Sequence, residues 1–252
     1  MAVTEAGAVL TEAHRTAQLG ILESLLRSFE AEWTDEVAFD PAAFASWVAE
    51  QAPEVASAYR LSAETAQRYY ERFRAAEGVQ DPFTSVILDQ LDPWAWSESV
   101  TRWGPAYVTA LVEDGLAEEA AARRSLVALS LDATRTSMAG GRTALAALMQ
   151  AEPRRVRWAR IARARCCAFC AMLASRGPVY SSAWAAGAGR HWHRGCKCTV
   201  EPYFGRGRYR LHPTSQQYAT MWDNLEYANL NAFRRELEQQ RRKEDEAGEG
   251  GA

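Results

Sequence analysis

The chain reads as mainly α: a long N-terminal helical region, a small basic α+β module rich in cysteine and histidine, and a C-terminal helix. Three observations predict this. Apolar residues recur at three- and four-residue steps through the first 150 positions, with no useful run of strict alternation. Asp-Pro and Gly-Pro pairs punctuate that region as helix starts do. Only after Pro153 do basic, β-branched and aromatic residues take on an extended pattern, and all five cysteines lie there. The expected divisions are 1–150 helical, 151–210 the basic module, 211–242 the last helix and 243–252 a disordered polar tail.

Leu22, Leu25, Leu26, Phe29 and Trp33, with Glu23, Arg27 and Glu30 between them, predict an amphipathic helix from Thr4 to Trp33. Asp40-Pro41 caps the next, which buries Phe44, Trp47 and Val48, and Pro53 starts or interrupts the following segment. Ser62 is read as the cap of a helix from Ala63 to Glu77, carrying Tyr69, Tyr70 and Phe73 and ended by Gly78. Asp81-Pro82 repeats the device before Phe83, Val86, Ile87 and Leu91, and Asp92-Pro93 does so before Trp94, Trp96 and Trp103. Gly104-Pro105 breaks the pattern, and helices follow over Tyr107–Leu116 and Glu118–Met138, the second running toward Gly140-Gly141-Arg142.

Arg155, Val156, Arg157 and Trp158 alternate as a strand or extended arm would, and the segment from Cys198 to Phe204 is a second strand candidate. The stretch Gly205-Arg-Gly-Arg-Tyr-Arg reads as a mobile basic loop. Thr214 or Ser215 then caps one last helix with Tyr218, Trp222, Leu225, Leu230, Phe233 and Leu237 on its buried stripe.

A formal net charge of −3 conceals strong segregation. Residues 1–153 carry 11 arginines against 23 acidic residues, whereas residues 154–210 carry 12 arginines and Lys197 against Glu201 alone. A block this basic seeks phosphate, an acidic partner, or the acidic part of its own chain. The candidate contacts are Arg154, Arg155, Arg157, Arg160, Arg163, Arg206, Arg208 and Arg210. The interleaved Trp158, Trp184, Trp192, Tyr203, Phe204 and Tyr209 offer faces for stacking on exposed bases, or else form the module's own core. The first residues lack the basic start and apolar run of a signal peptide, and no run of roughly 18 apolar residues occurs. A soluble protein made in a cytoplasm, with no membrane partner, is expected.

In a reducing compartment five clustered cysteines point to metal rather than to disulfides. Cys167-x2-Cys170 offers two thiolates on one turn, and His193-x2-Cys196-x-Cys198 supplies further donors after 22 intervening residues. This is the pattern of a structural zinc site. Cys167, Cys170, His193 and Cys198 are the first choice of ligands, with Cys196 next; Cys166 reads as a bystander and His191 as a surface group or one that supports a ligand. The absence of HExxH and of a carboxylate other than Glu201 in the block argues against a catalytic zinc, and a nucleophilic cysteine does not need this many companion sulfurs. A non-enzymatic protein is expected.

Cys167-Ala-Phe-Cys170-Ala-Met-Leu-Ala-Ser-Arg-Gly, Val179-Tyr-Ser-Ser and His193-Arg-Gly-Cys196-Lys-Cys198-Thr-Val-Glu-Pro-Tyr-Phe resemble the C-x2-C … H-x2-C-x-C signature of the MuF-like minor capsid, or head morphogenesis, proteins of tailed bacteriophages. The likeness is to the versions in phages and prophages of actinobacteria, and it extends weakly upstream through Ala139-Gly-Gly-Arg142 and Trp158-Ala-Arg160. The Cys166-Cys167 doublet departs from the single leading cysteine of that signature. The resemblance implies a structural virion protein, assembled in the host cytoplasm. Its implied partners are the portal protein, other head proteins and non-specifically bound phage DNA. The alternative is a zinc-dependent DNA-binding regulator or nuclease, suggested by the basic block and His191-x-His193.

Overall fold

A computed structural model describes residues 2–82, 92–163, 165–182, 185–186 and 192–249. The capping device at Asp81-Pro82 leads into 83–91, and the predicted Phe83, Val86, Ile87 and Leu91, like Trp184 and His191, lie outside these residues. Among the described residues the chain is mainly helical with one two-stranded sheet.

Helix α1 (Glu5–Glu32) starts at Thr4, whose hydroxyl accepts the Gly7 N–H. A short α2 (Asp35–Phe39) leads to Asp40, whose carboxylate accepts the N–H groups of Ala42 and Ala43 and starts α3 (Pro41–Ala76) with proline in its first turn. Here the structure corrects the expected subdivision: α3 runs unbroken through both Pro53 and Ser62. Ser62 is no cap. Its hydroxyl donates to Gln18 of α1 at 2.6 Å and accepts the Gly141 N–H at 2.9 Å, so this buried serine joins three helices. The hydrogen bond lost at Pro53 is outweighed by the burial of Phe44, Trp47, Val55, Tyr59, Tyr70 and Phe73 along one continuous face. Gly78 does end the helix: at φ +72° it allows the Gly78 and Val79 N–H groups to satisfy the carbonyls of Ala75 and Arg74.

Helix α4 (Pro93–Val100), a 3₁₀ turn (Thr101–Trp103) and α5 (Pro105–Glu113) follow; Gly104-Pro105 starts α5 and buries Val108. Helix α6 (Glu118–Ala151) continues well past the predicted Met138. A Cβ on Gly140 would lie 2.1 Å from the Tyr59 carbonyl oxygen, so the glycine pair ends nothing and instead lets α6 cross α3 closely.

After Glu152 the chain forms β1 (Arg157–Ile161), α7 (Ala168–Ser175) and β2 (Thr199–Tyr203). The strands pair antiparallel, with Arg157 opposite Tyr203 and Arg160 opposite Val200, as the two extended patterns predict. The predicted final helix is two: α8 (Pro213–Asp223) and α9 (Leu230–Glu249). His212, not Thr214 or Ser215, caps α8, its ring accepting the Thr214 N–H. Asn229 caps α9 by accepting the N–H groups of Asn231 and Ala232. Helix α9 runs on to Glu249, into the stretch read as a disordered tail from 243, and Arg241 meets the Cys166 carbonyl. The larger of two buried clusters contains Tyr70 and Phe73 of α3, Leu145 and Leu148 of α6, Trp158, Cys170, Val200 and Phe233, so one core crosses the compositional change at Pro153.

Candidate metal centre

Local backbone geometry sets the donors of the cysteine cluster. Cys167 is the cap of α7, and its sulfur accepts the Cys170 N–H at 3.4 Å; the positive N-terminus of the helix faces the same sulfur. On the other arm, His193-Arg194-Gly195 makes a turn in which the Cys196 N–H reaches the His193 carbonyl at 3.1 Å. Gly195 is at φ +71°, and a Cβ there would lie 2.4 Å from Leu131 on α6. Arg194 anchors the turn to the helical body: its Nε donates to Asp132 at 2.8 Å, and its guanidinium lies 4.3 Å from the Trp103 ring. Beyond the turn, Cys196 and Cys198 alternate with Lys197, which puts both sulfurs on one buried face.

Two donor sets result, each with all its atoms within 4.8 Å: Cys167, Cys170 and His193, half open to solvent, and Cys170, Cys196 and Cys198, fully buried. Cys170 belongs to both. Its sulfur lies 3.7 Å from that of Cys196 and 3.9 Å from His193 Nε2. A tetrahedral ion with metal–sulfur bonds of about 2.3 Å requires sulfurs about 3.8 Å apart, so the Cys170–Cys196 pair already has the right edge. The ring of His193 is oriented by its Nδ1, which donates to the Arg194 carbonyl at 2.8 Å and leaves Nε2 facing the sulfurs. These groups can hold a metal ion, and soft thiolate donors suit zinc. The first-choice ligands Cys167, Cys170, His193 and Cys198 are thus split between the two sets, and Cys196 is as central as Cys198. Cys166 stands outside both, buried, with its thiol 3.6 Å from the Tyr218 hydroxyl.

The hydrogen bond from Cys170, with help from His193, lowers the Cys167 pKa to about 5, while hydrogen bonds to Cys167 and Cys196 and burial push Cys170 up. Two buried arginines stand over this cluster. Arg160 donates to the sulfurs of Cys170 at 3.2 Å and Cys196 at 3.6 Å and to the Ala186 carbonyl at 2.9 Å. Arg142 donates to the carbonyls of Cys196 and Cys198. Burial alone would depress Arg160, but Cys170, Cys198 and Cys196 outweigh it and its pKa is raised; burial lowers Arg142 to about 10.

Arg160 is therefore a correction to the expected basic surface: it is 1% exposed. The signal was present in the spacing, since Arg160 shares the strand face of Trp158, which is buried. Arg142 was missed as a site residue because nothing in a helical pattern marks an inward arginine. Of the other expected contacts, Arg154 is half-buried and paired with Asp81 and Glu152, and Arg163 is half-buried. Arg155, Arg157, Arg206, Arg208 and Arg210 are exposed. Arg206 reaches the Gly78 carbonyl at 2.7 Å. Trp158, Trp192 and Phe204 are core side chains, which removes them as base-stacking platforms. Glu201 is fully buried, receiving the Ala2 N–H at 2.7 Å and the Thr11 hydroxyl, and burial raises its pKa.

The family described as VG15 protein matches residues 6–225. The Gene 15 protein of Mycobacterium phage D29 is 30% identical over 202 residues, which cover 68% of this chain and 70% of that protein. No solved structure matches the chain. Among the described residues, no helix is long and apolar enough to cross a membrane.

Proposed function

The chain belongs to the VG15 protein family, a phage-related family, and from that premise we propose that it is a non-enzymatic minor capsid protein of the MuF-like type, acting in head morphogenesis at the portal. It assembles in the host cytoplasm and remains in the virion. The observation that carries this reading is the placement of its charge. Pairing of Arg157 with Tyr203 sets the exposed Arg155 and Arg157 beside the strand that leads into the loop bearing Arg206, Arg208 and Arg210. In a chain that is acidic elsewhere, this patch fits an acidic surface of the portal or another head protein, with packaged DNA as a second, non-specific contact.

Zinc supplies no reaction step in this reading: bound to the cysteine cluster, it crosslinks the start of α7 to the segment entering β2. Two facts support a structural over a hydrolytic role. Neither donor set contains a carboxylate, and the block's one acidic residue, Glu201, is buried on Ala2 and Thr11, out of reach as a general base.

Crosslinking mass spectrometry on virions carrying a tagged copy tests the proposal. Crosslinks from Lys197 and from the segments 154–158 and 205–210 to the portal are expected. A tagged protein absent from purified heads, or one that crosslinks to no head component, overturns it.

A further inference from the structure

Arg142 and Arg160 come from different elements, α6 and β1, yet converge on one point. Their guanidinium carbons lie 3.9 Å and 3.6 Å from the ring of the buried Trp192. Two like charges brought together out of water are unfavourable. Both turn onto the same cysteine segment: Arg160 onto the sulfurs of Cys170 and Cys196, Arg142 onto the carbonyls of Cys196 and Cys198. Carboxylates are scarce here: Glu201 is the one acidic residue of the block and is turned to Ala2 and Thr11. The buried cations thus face sulfur and the carbonyls of the cysteine segment. A buried charge is tolerated only when paired and hydrogen-bonded, and thiolates held ready for a metal are strong acceptors for such a pair.

We propose that Arg142 and Arg160 are positioning residues of the metal centre: a two-cation cradle, shelved on Trp192, that holds Cys170, Cys196 and Cys198 as the thiolate face on which the metal is anchored. The division of labour follows from the contacts. Arg160 acts on the sulfurs themselves, through Nη2 at Cys170 and Cys196. Arg142 acts on the backbone, its Nε at 3.2 Å and Nη2 at 3.0 Å from the Cys198 carbonyl, and so fixes the segment that carries the two sulfurs. Cys167 and His193 stand on the solvent side, where one of them would supply the fourth donor. A metal–thiolate centre with three or more thiolates retains net negative charge even with a divalent ion, so the cradle is needed in the loaded state as well.

The inference rests on the metal-binding reading, and cobalt titration of the full chain separates the two. Affinity is measured by competition with a chromophoric chelator for the wild type, Arg160→Lys and Arg160→Gln. Glutamine keeps a hydrogen-bond donor without charge; lysine keeps the charge. Arg160→Gln is expected to lose about 10–100-fold in cobalt affinity, as removal of an outer-shell partner of a ligand does. Arg160→Lys is expected to recover most of that loss, with the sulfur-to-cobalt charge-transfer bands of the wild type. If glutamine binds as tightly as lysine, or if both lose binding alike, charge is not what the sulfurs require and the cradle is refuted. A wild-type chain that takes up no cobalt refutes the metal reading beneath it.

Discussion

Helix α6 carries two solutions to the burial of arginine. Where the helix ends, Glu152 receives Arg74 of α3 through Nε at 2.7 Å and Nη2 at 3.0 Å, and the Tyr70 hydroxyl donates to the same carboxylate at 3.0 Å. Earlier on the same helix, Arg142 lies with Arg160 over sulfurs and carbonyls. The first centre is complete in itself: a bidentate carboxylate pairs with the cation directly. The second is conditional, because a cysteine provides negative charge only as a thiolate, and a metal is what makes thiolates of several neighbouring thiols at once. The first kind of pair fastens a fold permanently. On the proposed metal reading, the second ties the fold's integrity to loading.

Removing the metal should therefore cost most. Structural zinc sites contribute on the order of 10 kcal/mol, and chelation should lower the thermal midpoint far more than any single substitution at Arg74 or Glu152. An unchanged midpoint after chelation would erase the contrast between the centres.

Next in size is Glu152→Gln, which leaves Arg74 buried against a neutral amide. A loss of about 3–5 kcal/mol is expected in denaturant unfolding, and the same loss with and without zinc. A loss that appears only in the zinc-free protein would mean the two centres are coupled, contrary to the account.

His14 sharpens the comparison as a third buried base, one that resolves its burial by giving up its charge. It stacks on Tyr69 with ring centroids 4.4 Å apart, and desolvation lowers its pKa to about 4. Below its ordinary value of 6.5 the unfolded chain gains a proton that the folded chain refuses until about pH 4, so stability falls as pH drops through that window. The full swing is roughly 3 kcal/mol. His14→Gln should flatten this part of the stability profile, and an unaltered slope would assign the pH dependence to other groups.

The smallest effect is steric and touches neither centre's charge. Gly140→Ala forces a methyl against the Tyr59 carbonyl and should cost about 1–3 kcal/mol, equal in the zinc-loaded and zinc-free protein.

Local rules made much of this legible. The period of Leu22, Leu25 and Phe29, the Asp40-Pro41 cap and the Gly78 stop are consequences of backbone chemistry within a few residues, and they appear where expected. The two strands were visible as extended patterns on either side of the cysteines. What was not legible depended on partners distant in sequence. Ser62 looks like a cap until Gln18 and Gly141 supply its hydrogen bonds in mid-helix. Asn224 and Asn229 divide α8 from α9 inside a stripe whose spacing reads as one helix, and Trp222 still packs on Phe233 across the break. At the candidate site the spacing named every donor that the fold gathers, yet it could not say that Cys196 and Cys198 belong to a buried set and Cys167 and His193 to an outer one. Nor could a count of basic residues separate Arg160, turned onto sulfur, from Arg155 and Arg157, turned to solvent.

The most direct test of the central claim is the metal content of the full chain purified without chelator, measured by inductively coupled plasma mass spectrometry against protein concentration. The account predicts about one zinc per chain, because a site that completes a buried charge balance binds tightly. Less than about a tenth of an equivalent, in a protein that is folded and has all its thiols reduced, would contradict it.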